Sequence, residues 1–599
     1  MEKVFQTIEG LANRLIIMRC SVVVLLFVIV NASFEQYAIY DVSFTLPSLF
    51  NSVTILMVVI FACYLMFGSK ALRFSYGDIL FALFILYYIY RYDIDLRLAD
   101  WKMAMAFLSV VLWYSVRYLS ACGICSCTTF SWILISSGGI QALLGFMQLH
   151  GWENSHHDLF SMTGSFLNPG PFSGYLAMIF PIVLYQCLVS KGAKFYLSWG
   201  IVSVMLCVLP AGMSRATWLG AALSSCFVFF LTKKGLFQQL RLKRRTLLIL
   251  GSIGIILGLL VVICVFFKMK EDSAYGRLFI WKNAGHVIAA APIMGYGSAS
   301  FSSVYQDTQV AYFKSGRQSI TEERVADNPE YAFNEYVQML VEGGWILLLL
   351  FVFWVFYTLR QGCKHGEYGL CGGGISLLVF AFFSYPFQIP AFILAAIIML
   401  ASLPQGDLKT TKCGLLTIFA VCVVSVGLGC RHYHLNSHEL AESWQKCRLL
   451  KLSGAPEIAP KGYEKLYVSL KDNANFLVEY ARCLSQQKEY SNSNKILQRA
   501  KLLKCDAMIY NIMGQNYQKM RYYQQAESCF LYAANLVPDR IYPYYLLAKL
   551  YAEPDFFDKE RTEQMANIVL TKSPKVDSGA IDEMRTEIRS LLKKVQPAN

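Results

Sequence analysis

The sequence predicts an all-α protein in which a polytopic membrane bundle of about 12 to 13 spans precedes a C-terminal helical-repeat domain. Of the 599 residues, 56% are hydrophobic and only 16% are charged, and the mean hydropathy is +0.42. The apolar residues fall in blocks of about 20, the length at which a helix crosses a bilayer with all its backbone hydrogen bonds satisfied internally. The chain after residue 430 is polar instead and carries a helical repeat pattern.

The membrane region contains thirteen candidate spans. They are residues 15–33, 49–67, 77–90, 101–119, 128–149, 169–190, 195–212, 214–232, 246–267, 334–359, 371–386, 389–403 and 413–430. The long polar interruption between the ninth and tenth spans, residues 268–333, is where we expect the chemistry to lie.

The distribution of basic residues predicts the orientation. Lys70, Arg73 and the basic run 233–245 fall in alternate loops together with the N-terminus, whereas loops 34–48 and 150–168 contain no Lys or Arg. Basic loops stay in the cytoplasm, so we expect a cytoplasmic N-terminus and an exported C-terminal domain. The same clustering accounts for the net charge of +14, and we therefore predict no nucleic-acid partner.

Two domains are predicted: a membrane domain at 1–430 and an extracytoplasmic helical domain at 431–599. The second matches the spacing of tetratricopeptide repeats, in which small residues let paired helices approach and aromatic residues fill the gap between repeats. The matching residues are Tyr510, Gly514, Tyr517, Ala526, Phe530, Ala533 and Pro538, with a looser match at Ala481, Leu484, Leu497 and Ala500. We expect two to four repeats, which either offer a surface to a protein partner or act as a spacer.

Two arginines are candidates for chemistry on the exported side. Arg215 follows Ser214 at the end of a predicted span, and Arg277 lies in the polar interruption. An arginine at a membrane boundary is costly unless it snorkels to the surface or has an anionic partner. Two guanidinium groups on one side suit a diphosphate, because each can bind phosphate oxygens bidentately. The alternative is that both only anchor their helices.

Two clusters have the spacing of metal ligands, but we predict no metal. C-x-x-C-x-C at 122–127 has no second ligand cluster, and H-x-H-x-x-x-H at 432–438 has no acidic or cysteine partner. We interpret them as helix-end cysteines and interfacial histidines.

An ordered set of motifs resembles the O-antigen ligase and O-antigen polymerase superfamily, which includes bacterial O-linked oligosaccharyltransferases. The resemblance covers roughly residues 130–403, and tetratricopeptide-like C-terminal domains occur in many members. The motifs are Gly-Ser-Phe-x-Asn-Pro at 164–169, Ser-Arg-Ala at 214–216, Gly276-Arg277 followed by Trp281, Pro-Ile-Met-Gly-Tyr-Gly at 292–297, Asn-Glu-Tyr at 334–336 and Glu-Gly-Gly at 342–344.

The resemblance implies glycan transfer from an undecaprenyl-diphosphate-linked donor to an acceptor hydroxyl, on the outer side of the bacterial cytoplasmic membrane. Arg215 and Arg277 would hold the diphosphate among the membrane lipids, and no cofactor or metal is implied. We expect the other motif side chains to contact substrate: Asn168, Ser214, Trp281, Asn334 and Tyr336.

The sequence departs from the family at the expected catalytic base. Many members carry His immediately before the asparagine of the last motif, where this chain has Phe333. Glu335 is our first candidate for the base, although an acidic residue there also suits the N-terminus of a helix. Asp327 and His286 are weaker candidates, and 156–157, a pair of histidines, lies on a facing loop.

Several functions stay open at this level. The acceptor is a growing glycan in a polymerase, the lipid A core in a ligase, or an exported protein in an oligosaccharyltransferase, and the repeat domain favours the last two. A transporter of lipid-linked glycan would show repeated halves with broken helices, which we do not find. A non-enzymatic scaffold is the remaining alternative.

Overall fold

The computed structural model describes residues 2–32, 52–60, 72–92, 100–157, 159–233, 271–413, 437–452, 459–575 and 578–595. The predicted span at 246–267 lies outside these residues, as do residues 414–430 of the last predicted span, about half of the span at 49–67 and the proposed domain boundary at 430. The division into 1–430 and 431–599 therefore stays a prediction.

The first part of the chain forms helices and one two-stranded ribbon. In chain order these elements are α1 Glu2–Ala32, β1 Leu72–Ser75, α2 Tyr76–Tyr90, α3 Asp100–Ala121, α4 Cys127–Leu149, α5 Pro169–Val189, α6 Ala193–Ala211, α7 Arg215–Thr232, α8 Glu271–Ala290, α9 Phe301–Lys314, α10 Ile320–Val325, α11 Glu335–Lys364, α12 Tyr368–Phe383, α13 Pro390–Ser402 and β2 Asp407–Cys413.

Six helices in the described residues are long and apolar enough to cross a membrane: α4 to α7, α11, and α3 from Lys102 onward. Shorter apolar helices occur within α1, α2, α12 and α13. These elements follow the predicted spans, and the protein is an integral membrane protein.

Small residues let α5, α7 and α12 pack closely. A Cβ added at Gly174 of α5 would lie 2.3 Å from the ring of Phe380, and one at Gly220 of α7 would lie 3.1 Å from Ser376 of α12. The Ser376 hydroxyl donates to the Ala177 carbonyl across the same interface at 2.7 Å. Small residues and interhelical hydrogen bonds are how helices associate in a membrane, where apolar burial supplies no driving force.

The ribbon joins the predicted basic loop that contains Lys70 and Arg73 to the segment between the last two predicted spans. β1 pairs with β2 in antiparallel fashion, with Leu72 opposite Cys413 and Ser75 opposite Asp407. The prediction of an all-α fold missed this ribbon because its strands are only 4 and 7 residues long and lie between apolar runs. The fold class is otherwise confirmed.

A buried ion pair lies beside the ribbon. Asp78 of α2 accepts hydrogen bonds from Arg117 Nε at 3.2 Å and from Trp113 Nε1 at 2.9 Å. The Ser75 hydroxyl donates to the other oxygen of Asp78 at 2.7 Å. A carboxylate this deep is tolerated only when its oxygens are satisfied, so we interpret the network as structural.

The polar interruption folds into α8, α9 and α10. Phe279 of α8 packs with Phe313 of α9, and Lys282 of α8 lies 2.6 Å from Glu322 of α10. Partial burial opposes ionisation of Glu322, but hydrogen bonds from Lys282, Ser319 and neighbouring groups lower its pKa to about 2.

The C-terminal region is helical throughout its described residues. Its helices are α14 Ser437–Leu452, α15 Ala459–Leu470, α16 Ala474–Gln486, α17 Tyr490–Leu503, α18 Ala507–Lys519, α19 Tyr523–Leu536, α20 Tyr542–Tyr551, α21 Lys559–Thr571 and α22 Gly579–Val595.

Successive helices pair as the repeat spacing predicted. α14 packs on α15, α16 on α17, α18 on α19 and α20 on α21, which gives four helix pairs in the described residues. A Cβ at Gly514 would lie 2.4 Å from the ring of Phe530, so the small and large positions of the repeat do meet. Ala481 and Leu497 of the loosely matched repeat are fully or almost fully buried.

Candidate active site

Arg277 is half-buried on α8, at the point where α8 meets the end of α12. Its Nη1 donates to the Phe383 carbonyl at 2.6 Å, and its guanidinium lies 5.6 Å from the centre of the Phe333 ring. Burial lowers the pKa of the Arg277 guanidinium, and the neighbouring charge of Arg215 lowers it further. The charge of Arg215 therefore reaches the guanidinium of Arg277, as expected for two arginines predicted on one side of the membrane.

The turn between α6 and α7 carries Arg215 to this place. Met213 has a φ of 43°, and a Cβ added at the adjacent Gly212 would lie 1.9 Å from the Ser173 hydroxyl. The indole of Trp218 donates back to the Leu209 carbonyl at 3.0 Å. The turn is therefore tight and leaves Arg215 at the first position of α7.

Three aromatic rings form a wall beside Arg277. Tyr385 stacks on Tyr331 with ring centres 5.0 Å apart and meets Phe333 edge-on at 5.4 Å. Burial raises the pKa of Tyr385, while the positive charge of Arg277 acts in the opposite direction. Sequence reasoning missed Tyr385 because it counted this residue in a predicted span, although the following Pro386 marks the helix end.

Phe333 occupies an uncommon backbone conformation, with a φ of 50°. The left-handed region is unfavourable for a bulky side chain, so the surrounding contacts hold Phe333 in it. At the position where many family members have His, this chain places a ring beneath a guanidinium.

Trp281 and Tyr336 are tied to nearby carbonyls. The indole of Trp281 donates to the Ala332 carbonyl at 2.9 Å, and the hydroxyl of Tyr336 donates to the Leu378 carbonyl at 2.9 Å. Trp281 also meets Phe382 edge-on. Both side chains therefore fasten α8 and α11 to α12, and a contact with substrate stays a prediction for each.

The three polar motif residues all begin helices. Asn168 accepts from the Gly170 N–H at 3.0 Å, and Asn334 accepts from the N–H of Tyr336 at 3.0 Å. Ser214 precedes α7 without a side-chain cap. The two asparagines satisfy N–H groups that have no partner within the helix, and substrate binding by all three residues stays a prediction.

Glu335 faces the interior of the bundle. It is 2% exposed, and its carboxylate oxygens accept from the Phe387 N–H at 2.7 Å and from Gln388 Nε2 at 3.1 Å. Glu335, Lys102 and Glu342 line an internal cavity of about 140 Å³, in which Lys102 lies 3.5 Å from Glu342. Both carboxylate oxygens of Glu335 thus accept hydrogen bonds from the protein.

The loop that follows α4 is anchored by two glutamines that the sequence analysis did not single out. Gln148 Oε1 accepts from the N–H groups of Thr163 and Gly164 at 2.9 and 2.7 Å. Gln141 Oε1 accepts from the Ser165 N–H at 3.1 Å. Two glutamines seven residues apart lie on one face of a helix, and their presence in an apolar span was the available signal.

The glycine motifs at 292–297 and 342–344 form one joint. The N–H groups of Tyr296 and Gly297 donate to the carbonyls of Val341 and Glu342 at 2.9 and 2.8 Å, and the Trp345 N–H donates to the Pro292 carbonyl at 2.9 Å. Gly344 breaks the helical conformation of α11, with a φ of 65°. The motifs therefore fix the loop before α9 against the break in α11.

The other candidate bases lie at the surface of the protein. His156 and His286 are exposed, and Asp327 forms an ion pair with Arg540 at 3.2 Å. Within the described part of the chain, no group of three or more His, Cys, Asp or Glu side chains is placed to hold a metal ion. His432 and His434 lie outside that part.

Comparison with known proteins supports the resemblance. The model of the O-antigen ligase family matches residues 200–352, which include both arginines, Trp281 and the motif at 334–336. No curated protein matches the chain significantly. A solved structure of Pseudomonas aeruginosa pilF is 14% identical, covers 31% of this chain and 89% of its own, and has a TM-score of 0.22, too low to establish a shared fold. Over residues 200–352 the chain is therefore similar to the O-antigen ligase family.

Proposed function

We propose that this protein transfers a glycan from an undecaprenyl-diphosphate-linked donor to an acceptor hydroxyl, on the outer side of the bacterial inner membrane. The family domain supports ligase-type or polymerase-type glycan transfer in general. The observation that supports the finer proposal is that the charge of Arg215 acts on Arg277, although the two residues lie 62 residues apart in sequence and come from different helices.

The charges at this place favour a ligand with two or more negative charges. Arg215 and Arg277 repel each other, and partial burial makes each charge costly to hold. A diphosphate offsets both effects, because its oxygens accept from both guanidinium groups. A single carboxylate or monophosphate would satisfy them less completely.

The chemistry then follows from the leaving group. The oxygen of the acceptor hydroxyl attacks the anomeric carbon, and the bond from that carbon to the diphosphate oxygen breaks and leaves its electron pair on the diphosphate. The hydroxyl proton passes to the departing diphosphate or to water. Arg215 and Arg277 stabilise the charge that develops on the diphosphate, the kind of electrostatic help that contributes most in a partly desolvated site. We propose that the hydroxyl of Tyr385, whose ring stacks on Tyr331 beside Arg277, donates a further hydrogen bond to this charge.

We assign Glu335 to positioning rather than to proton transfer. Its two oxygens already accept hydrogen bonds from residues 387 and 388, the turn that follows Tyr385. Through this turn Glu335 holds the aromatic wall against α11. The sequence had favoured Glu335 as the base because sequence alone does not show which way its side chain points.

The experiment that tests the proposal compares strains. A deletion strain is complemented with the wild-type chain or with Arg277→Ala, and three products are examined: the lipopolysaccharide ladder, free lipid-linked polymer and protein-bound glycan. We expect one product to disappear in the deletion and in Arg277→Ala, with lipid-linked donor accumulating. Loss of the ladder alone identifies a ligase, loss of protein-bound glycan a protein glycosyltransferase and loss of polymer a polymerase. If all three products were unchanged, glycan transfer by this protein would be excluded.

A further inference from the structure

We infer that the C-terminal repeat domain positions residues of the active site. It binds the segment 327–330, which leads directly into the three aromatic rings beside Arg277. The inference deepens the proposed function and rests on it for the identity of the site. The surface of the repeat domain that it concerns is covered by α9 and the segment 327–330 of the same chain.

The first contact is made by α9, a helix of the exported segment. Val310 of α9 is buried in the same core as residues of α18 and α19. Gln306 Nε2 donates to the Lys501 carbonyl at 2.9 Å, and Gln309 Nε2 donates to the Leu536 carbonyl at 2.5 Å. α9 is thus packed against the repeat domain and also bound to the ends of its helices.

The second contact is made by the segment 327–330, and three of its four residues bind the repeat domain. Asp327 pairs with Arg540 at 3.2 Å, and Glu330 pairs with Lys504 at 3.3 Å. Between them, Asn328 Oδ1 accepts from the Ala507 N–H at 3.3 Å and its Nδ2 lies 3.5 Å from Asp506. A short segment is therefore held by partners from three places: the end of α17, the start of α18 and the loop after α19.

The held segment continues without a gap into the site. Tyr331, which stacks on Tyr385, directly follows Glu330. Ala332 accepts the hydrogen bond from Trp281, and Phe333 lies beneath Arg277. Any displacement of 327–330 is transmitted to the rings that surround this guanidinium.

The ion pairs that hold the segment suit positioning better than stability. The side chains of Asp327 and Arg540 are 66% and 44% exposed, and pairs this exposed add little to the free energy of unfolding. Catalytic geometry is more sensitive, since a displacement of about 1 Å can reduce a rate by about 10²-fold. Their loss is therefore expected to lower activity without unfolding the protein.

The test uses the full-length protein in lipid nanodiscs. The variant Lys504→Glu/Arg540→Glu reverses both charges of the repeat domain that face the segment. The matched control is Arg521→Glu, which breaks an exposed pair with Asp555 at 3.4 Å inside the repeat domain. Amide hydrogen exchange is measured over 327–334, and kcat and KM are measured for glycan transfer from the lipid-linked donor.

We expect exchange over 327–334 to accelerate about tenfold or more in the double variant and to stay unchanged in the control. We also expect kcat to fall about tenfold, with KM changing less than about threefold, because positioning of the site and not donor capture is lost. Arg540→Asp alone should show part of both effects. Combining it with Asp327→Arg restores the ion pair in reverse and should recover most of the protection and of kcat that Arg540→Asp loses.

The outcomes separate this inference from the function on which it rests. Unchanged exchange in the double variant would overturn the docking, and accelerated exchange with unchanged kcat would overturn the positioning role. Accelerated exchange in a protein whose wild type transfers no glycan would support the docking and overturn the proposed function alone.

Discussion

Replacing Arg277, the more buried of the two arginines, tests whether Arg215 and Arg277 hold a diphosphate. The guanidinium already donates one hydrogen bond to the Phe383 carbonyl, so its remaining N–H groups are those available to a phosphate. Removing one donor of this kind costs roughly 2.7–4 kcal/mol in the transition state, or about 10²–10³ in kcat. The orphaned carbonyl adds about 1–3 kcal/mol of lost stability. Arg277→Lys keeps the charge but not the fork, and we expect about a tenfold loss.

The assay measures kcat and KM for transfer from a synthetic lipid-diphosphate-linked glycan, with hydrogen exchange confirming that each variant is folded. Arg324→Ala is the matched control, because Arg324 lies on the same polar segment and its contact with Asp272 at 3.6 Å is exposed. In a double-mutant cycle, Arg215→Ala and Arg277→Ala should be non-additive, since both groups bind one diphosphate. Activity of Arg277→Ala within threefold of wild type would refute the reasoning.

Three further predictions concern the scaffold. Gly344→Ala should lower stability by more than the roughly 1–2 kcal/mol of a left-handed alanine, because its Cβ would lie 2.1 Å from a backbone oxygen. Gly366 has a φ of 82° and nothing within 4 Å of an added Cβ, so Gly366→Ala should lose only that amount of stability. If both variants lowered the temperature of thermal unfolding equally, the close contact of 292–297 with 342–344 would be contradicted. Glu335→Gln should cost about 1–3 kcal/mol of stability while leaving kcat within threefold and its pH profile unmoved, whereas a loss above 100-fold would restore Glu335 as the base. The pKa of Glu322 is lowered from 4.5 to about 2. Its pairing with Lys282 therefore stabilises the folded protein at a pH above 4.5, and this contribution is lost as the pH falls toward 2. In the wild type, an acid protease should cleave α10 faster as the pH falls through this interval. In Glu322→Gln the rate of this cleavage should not depend on pH in this way.

The helices and repeats could be predicted from the sequence because hydropathy and spacing report them directly. Apolar blocks locate the spans, and the small and aromatic positions around Gly514 and Phe530 locate the repeats. The approach of Arg215 to Arg277 was predictable only as far as a shared side of the membrane, since basic residues in loops orient spans but do not pack them.

The orientation of side chains could not be predicted, and most of the new observations depend on it. A helix that is apolar all round gives no signal of which face meets its neighbours, so the inward direction of Glu335 was hidden. Tyr385 was hidden by an error in the end of a span, since apolar runs locate a helix better than its last residue. The docking of α9 on the repeat domain depends on polar contacts such as Gln309 with a carbonyl, which have no sequence pattern.

The most direct test of the central claim is a comparison of two ligands. Binding of undecaprenyl diphosphate and of undecaprenyl monophosphate is measured by native mass spectrometry for the wild-type chain and for Arg215→Ala/Arg277→Ala. If two guanidinium groups hold one diphosphate, the wild type should bind the diphosphate at least about tenfold more tightly than the monophosphate, a difference of about 1.4 kcal/mol, and the double variant should lose this preference. Equal affinity of the wild type for both lipids would contradict the account.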